Sequence, residues 1–163
     1  MKIPLPGPAF PKVQWLLSVR IAIPEGMADS ETGHLRASPL IAVVDDDEEV
    51  RRALGRLLRS AGFAVLPYET AEQFLANDPG GSDCLVADVC LPGMSGTDLE
   101  DVLARSAPRL PVVLITALDD PGTRERLRRS HAITVLRKPF DDSALFNAIA
   151  KGLAWSQGPA EPA

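Results

Sequence analysis

Between residues 40 and 153 the chain alternates short, unbroken apolar runs with longer stretches in which apolar residues recur every third or fourth position. The unbroken runs are Leu40-Ile41-Ala42-Val43-Val44, Phe63-Ala64-Val65-Leu66, Cys84-Leu85-Val86-Ala87, Pro111-Val112-Val113-Leu114-Ile115 and Ile133-Thr134-Val135-Leu136. Runs of this kind, rich in β-branched residues and bounded by turn formers, predict strands covered on both faces. After the first, Val50, Leu54, Leu57, Leu58 and Ala61 mark one stripe of a helix, with Arg51, Arg52, Arg56 and Arg59 outside it and Gly62 placed to end it. Thr70 to Gln73 and Thr97 to Glu100 have the spacing of capping boxes and predict two more helix starts. Residues 119–131 predict a weak helix, since Leu127 is nearly its only large apolar residue. Asp141 or Asp142 is placed to cap a last helix whose inward residues are Leu145, Phe146, Ile149 and Leu153. Five strands alternating with helices predict an α/β fold, a doubly wound parallel sheet between two helical layers.

The pattern fails at both ends. Residues 1–38 hold five prolines between positions 4 and 24 and a polar stretch from Asp29, so a flexible N-terminal extension is expected, with Met27 as an alternative start of translation. The apolar run from Val13 to Ile23 is interrupted by Gln14, Ser18 and Arg20 and is about half a membrane span, which argues against an anchor or an export signal. Residues 155–163 are expected to be a disordered tail. A chain of 163 residues with 45% hydrophobic content is enough for one core, here residues 39–154. A net charge of -5 disfavours direct nucleic-acid binding and attraction to anionic membranes. The two cysteines, Cys84 and Cys90, lack disulfide or metal-site spacing and fit a reducing, cytoplasmic compartment.

Candidate chemistry follows from where the strands stop. Parallel strands joined by right-handed crossovers point their carboxyl ends to one edge, where ligands bind in open α/β sheets. Four runs end there on polar residues: Asp45 and Asp46, Asp88, Thr116 and Lys138. Crowded carboxylates repel unless a cation joins them, and a hard divalent ion with oxygen ligands is the expected solution, Mg²⁺ before Mn²⁺. With that charge cancelled and Lys138 nearby, Asp88 could act as a nucleophile toward an anionic phosphoryl group.

These motifs, Val43-Val44-Asp45-Asp46-Asp47, Asp88 through Gly96 with Pro92-Gly93, Thr116-Ala117 and Lys138-Pro139-Phe140, resemble the receiver domain of two-component response regulators over roughly residues 39–152. The resemblance implies a flavodoxin-like strand order 2-1-3-4-5 and a chemotaxis-regulator-like phosphoryl acceptor in a phosphorelay; with too few residues after the last helix for an output domain, a stand-alone receiver is expected. It makes Asp88 the acceptor of a phosphoryl group from a sensor histidine kinase or histidine phosphotransfer protein. It places the metal among Asp45, Asp46, Asp88 and the backbone carbonyl of Cys90, with Asp46 a direct ligand and Asp45 acting largely through metal-bound water. Thr116 and Lys138 would contact the phosphoryl group, small Ala117 would leave room for it, and Pro139 would follow a cis peptide bond. The family's usual partner surface corresponds to residues 119–153, where Arg124 to Arg129 form either a solvated face or a protein contact. Such a domain is not a turnover enzyme.

Two departures from the family pattern stand out. Val135 occupies the position where receivers usually carry the aromatic half of their switch, so signalling is expected to rest on the loop after Thr116 and the arginine-rich helix. Cys90 and Leu118 flank the acceptor without a group suited to orienting water, so slow self-dephosphorylation is expected. Asp47 is assigned to helix capping, Cys84 to the core, and neither His34 nor His131 to catalysis. The rival readings are a phosphorylation-independent pseudo-receiver serving as an interaction scaffold, a phosphatase, disfavoured by Cys90 where a second acid belongs, and a redox role for Cys90.

Overall fold

The computed structural model describes residues 38–78 and 81–158, all within one compact unit. The expected N-terminal extension up to residue 37, its Met27 alternative start and His34, and residues 159–163 of the tail lie outside the described residues. Strands β1 (Leu40–Val44), β2 (Ala64–Tyr68), β3 (Cys84–Asp88), β4 (Val112–Thr116) and β5 (Thr134–Arg137) alternate with helices α1 (Glu48–Ser60), α2 (Ala71–Asn77), α3 (Gly96–Ser106), α4 (Pro121–Arg129) and α5 (Asp142–Ser156). All strand pairings are parallel, in the order β2-β1-β3-β4-β5. This is the doubly wound α/β sheet that the apolar runs predict.

The unbroken runs are apolar throughout because both faces of the sheet are covered. Ala42, Val44, Leu85, Ala87, Val112 and Leu114 point to one side and pack with Ala71 and Phe74 of α2 and Leu99 and Leu103 of α3. Their neighbours Ile41, Val43, Val86, Val113 and Ile115 are equally buried and, by the pleat, face the other side, where α1 packs on β1 and β2 and α5 on β3, β4 and β5. Because every crossover returns the chain the same way, all five helices begin at the edge where the strands end. Their capping residues are Asp47, Thr70, Ser95, Asp120 and Asp141. The positive ends of five helix dipoles are thus turned toward that edge.

Several boundaries differ from the sequence expectation. Strand β2 runs on to Tyr68, through Pro67, because its pairing with β1 continues to Val44 and an edge strand tolerates a proline. Strand β5 is shifted by one residue, to Thr134–Arg137, and β4 includes Thr116. The capping box of α3 is Ser95 with Asp98, not Thr97 with Glu100: the Ser95 hydroxyl accepts from the Asp98 N–H at 3.1 Å and the Asp98 carboxylate from the Ser95 N–H at 3.3 Å. Glu100 is instead buried and accepts from the His131 N–H at 3.1 Å. At α2 only half a box forms, since the Gln73 side chain reaches the N–H of Glu69, one residue before the cap. Helix α4 is shorter than expected and buries no residue, so His131 falls beyond its end, after the cap at Ser130. Helix α5 includes Trp155 and Ser156, two residues of the expected tail.

Candidate functional site

Register decides which polar ends meet. Val44 pairs with Ala87, so Asp45 follows β1 level with Asp88. Asp88 pairs with Ile115, and Thr116 with Arg137, which places Thr116 and Lys138 one and two residues further out along the same edge. The Lys138 N–H, donating to the Thr116 carbonyl at 2.8 Å, fixes this last step, and the Lys138-Pro139 peptide is cis.

Three carboxylates then crowd one notch. Oxygens of Asp45, Asp46 and Asp88 all lie within 4.8 Å of one another. Asp45 is 1% exposed and Asp88 8%, whereas Asp46 is open to solvent. One oxygen of Asp45 accepts from the Asp47 N–H at 2.9 Å; the other, Oδ2, is buried without a hydrogen-bond partner. Asp88 Oδ1 accepts from the Cys90 N–H at 3.1 Å. Lys138, its side chain about one-third exposed, brings Nζ to 3.4 Å from Asp88 Oδ2 and 3.9 Å from Asp45 Oδ2. Burial pushes the Asp45 carboxyl above its ordinary pKa, and the charges of Asp88 and Asp46 push the same way, against the Asp47 N–H and Lys138.

One ammonium cannot balance three carboxylates. The orphaned Asp45 oxygen and its raised affinity for a proton are what a missing cation would relieve, and an all-oxygen donor set of few carboxylates fits Mg²⁺ or Mn²⁺. The donor set therefore passes the chemical test for a hard divalent ion.

Thr116 is buried at the end of β4, but its hydroxyl is engaged within its own loop, accepting from the Leu118 N–H at 3.0 Å and donating to the Leu118 carbonyl at 3.3 Å. Ala117 and the side chain of Cys90 are exposed. Asp47 caps α1 through the N–H groups of Glu49 and Val50. Cys84 is fully buried, and burial pushes its thiol up to about 12. Val135 is half-buried against the core on the α2 to α4 side of the sheet.

The glycines of the turn after Asp88 are explained by close approach. A Cβ on Gly96 would collide with the Asp88 carbonyl oxygen, and Gly93 has φ +73°, where a side chain is strained. Glu72 of α2 holds this turn from outside, accepting from the Met94 N–H at 2.9 Å. Sequence reading missed Glu72, since its partner lies 22 positions away. Arg51 lies outside the apolar stripe of α1, as its spacing predicts, and its Nη1 donates to the Asp45 carbonyl at 2.6 Å, a contact the spacing does not show. The signal for Arg51 was its place one turn into a helix that starts beside the acids.

Comparisons with known proteins converge on one description. The sequence pattern of the response regulator receiver domain matches residues 41–150. Nodulation protein W of Bradyrhizobium diazoefficiens is 38% identical over 120 residues, covering 72% of this chain and 53% of that protein. Among solved structures, the response regulator StyR is 43% identical with a TM-score of 0.65, over 74% of this chain and 61% of StyR. The BeF3-activated DrrB receiver domain is 29% identical with a TM-score of 0.64, over 72% of this chain and 98% of that one. The chain spans about half the length of the curated relatives it matches.

Proposed function

The chain belongs to the response regulator receiver family, and from that we propose that Asp88 takes a phosphoryl group from the phosphohistidine of a sensor kinase or histidine phosphotransfer protein, and that the phosphorylated domain signals by altering a protein-binding face. One observation carries this reading: Asp88 lies 3.4 Å from Lys138 and within 4.8 Å of two further carboxylates, one of which has a buried oxygen without a hydrogen-bond partner.

Asp45, Asp46, Asp88 and the Cys90 carbonyl are the groups that would hold Mg²⁺, or Mn²⁺ in its place; the ion would cancel negative charge between the acceptor and an incoming phosphoryl group. The chain's own residues do the rest. The Cys90 N–H holds one Asp88 oxygen at 3.1 Å and so aims the carboxylate, while Lys138 offers a mobile positive charge to the transferred group. An Asp88 oxygen forms its bond to phosphorus as the donor's phosphorus–nitrogen bond breaks, and the departing imidazole takes up a proton. Thr116 contacts the phosphoryl group once its hydroxyl leaves Leu118, and Ala117 leaves the approach open.

Cys90 and Leu118 present exposed side chains with no group suited to orienting water, so the acyl phosphate is expected to persist and the protein to act as a switch rather than a turnover enzyme. The output surface is assigned to residues 119–153. A cytoplasmic location suits a phosphohistidine donor, and among the described residues no helix is long and apolar enough to cross a membrane.

The test is incubation with acetyl phosphate and Mg²⁺ followed by intact mass, alongside transfer from purified histidine kinases. One phosphoryl group should be added to the wild type and none to Asp88→Asn or in excess EDTA. No addition from any donor would leave the pseudo-receiver reading, a scaffold that never carries phosphate.

A further inference from the structure

The loop after Thr116 is tied down by a carboxylate that the phosphoryl chemistry above does not use. Asp119, three residues after Thr116, accepts from Arg124 Nε of α4 at 2.7 Å through one oxygen. Its other oxygen lies 2.5 Å from Arg137 Nη2 at the end of β5. Arg137 is the residue that pairs with Thr116 across β4 and β5, and it immediately precedes Lys138. A single side chain thus spans three elements beside the phosphoryl site.

We propose that Asp119 is a positioning residue that restrains phosphoryl capture, its carboxylate clasping α4 and β5 to the loop and keeping the Thr116 hydroxyl on Leu118, so that the clasp must open for the phosphoryl group to be taken up. The proposal rests on Asp88 being the acceptor. Four observations support it. The Thr116 hydroxyl has one proton, donated to the Leu118 carbonyl, so contact with a phosphoryl oxygen requires that hydrogen bond within the loop to break. Helix α4 has no buried residue, so packing alone holds it weakly. Val135 has no ring with which to lock either state. Hydrogen bonds from Arg124, then Arg137, hold the Asp119 carboxyl down at about 2, so the clasp is charged throughout the physiological range. Exposed pairs are individually weak, which makes this one easy to open.

The variants are Asp119→Asn, Arg137→Gln, the double substitution and Asp119→Glu. With acetyl phosphate and Mg²⁺, each neutral single variant should be phosphorylated roughly two- to fivefold faster than wild type, the range that exposed ion pairs support. The double variant should be no faster than the faster single one, and Asp119→Glu, which keeps the charge, should bring the rate back. Without any phosphodonor, amide ¹⁵N order parameters at Ala117 and Leu118 should fall in Asp119→Asn. Unchanged rates together with unchanged order parameters, or additive effects of the two substitutions, would overturn the clasp. Failure of the wild type to take up phosphate would instead sink the acceptor role of Asp88, and the order parameters would then decide the clasp alone.

Discussion

The two sides of the site are built on different physics. On the β1 and β3 side, Asp45 and Asp88 stand at the ends of strands in which every residue is buried. On the β4 and β5 side, the loop after Thr116 leads into a nine-residue helix with no buried residue, attached through half-buried Leu127 and the exposed Asp119, Arg124 and Arg137 ion pairs. Dispersion and apolar burial fix the first side; screened charges steady the second. The contrast suits the proposed switch, in which the groups that would form the covalent bond need fixed geometry while the element that would report it must move for little free energy.

The comparison breaks most readily in the core. Leu85→Ala, on fully buried β3, should lower stability by about 3 kcal/mol, against about 1 kcal/mol for Leu127→Ala on α4, read from urea midpoints. Equal losses would mean that α4 is as well packed as the sheet.

An alkaline titration reads the rigid side next. The folded-state pKa of Cys84 is about 12, well above the roughly 8.5 of an unfolded thiol, so the unfolded chain loses its proton first. Stability is therefore unaffected at neutral pH and falls by about 1.4 kcal/mol per unit as pH rises above about 8.5 toward 12. Cys84→Ala should remove that slope from a thermal or urea series. At pH 8 a thiol reagent should label exposed Cys90 at once and reach Cys84 only at the rate of global unfolding.

Smaller effects separate charge in the notch from charge in the clasp. Asp45→Asn keeps an acceptor for the Asp47 N–H and removes one of three crowded negative charges, so it should raise the melting temperature in EDTA by about 2–4 °C, read by calorimetry. Mg²⁺ should stabilise the wild type and lose most of that effect in the variant. Last, 1 M NaCl should speed amide exchange in α4 a few-fold while leaving β1 and β3 unchanged. Uniform protection across both regions would mean that the ion pairs contribute nothing to holding α4.

Much of this is legible in the sequence alone. The five apolar runs and the residues that end them needed only local reading, since a strand buried on both faces is written as a continuous stretch and its carboxyl end as the first polar residue. Asp47 as a cap and Cys84 as core were legible for the same reason. The errors were also local. Thr97 to Glu100 matches the spacing of a capping box as well as Ser95 to Asp98 does, and only the hydrogen bonds exchanged by Ser95 and Asp98 show where α3 begins. Phe63 reads as the start of a strand that begins one residue later.

What the sequence alone determined is the inventory: which residue types arrive at the edge of the sheet, in what order, on which kind of element. The tertiary structure decided how they meet. That Asp45 keeps a buried oxygen without a hydrogen-bond partner, that the Thr116 hydroxyl is spent on Leu118, that Arg51 and Glu72 brace the notch, and that Asp119 joins β5 to α4 all depend on strand register and helix placement. Periodicity records which face of an element is buried over a few residues. It carries no information about the few ångströms by which side chains on separate elements meet or miss, and those distances set the electrostatics.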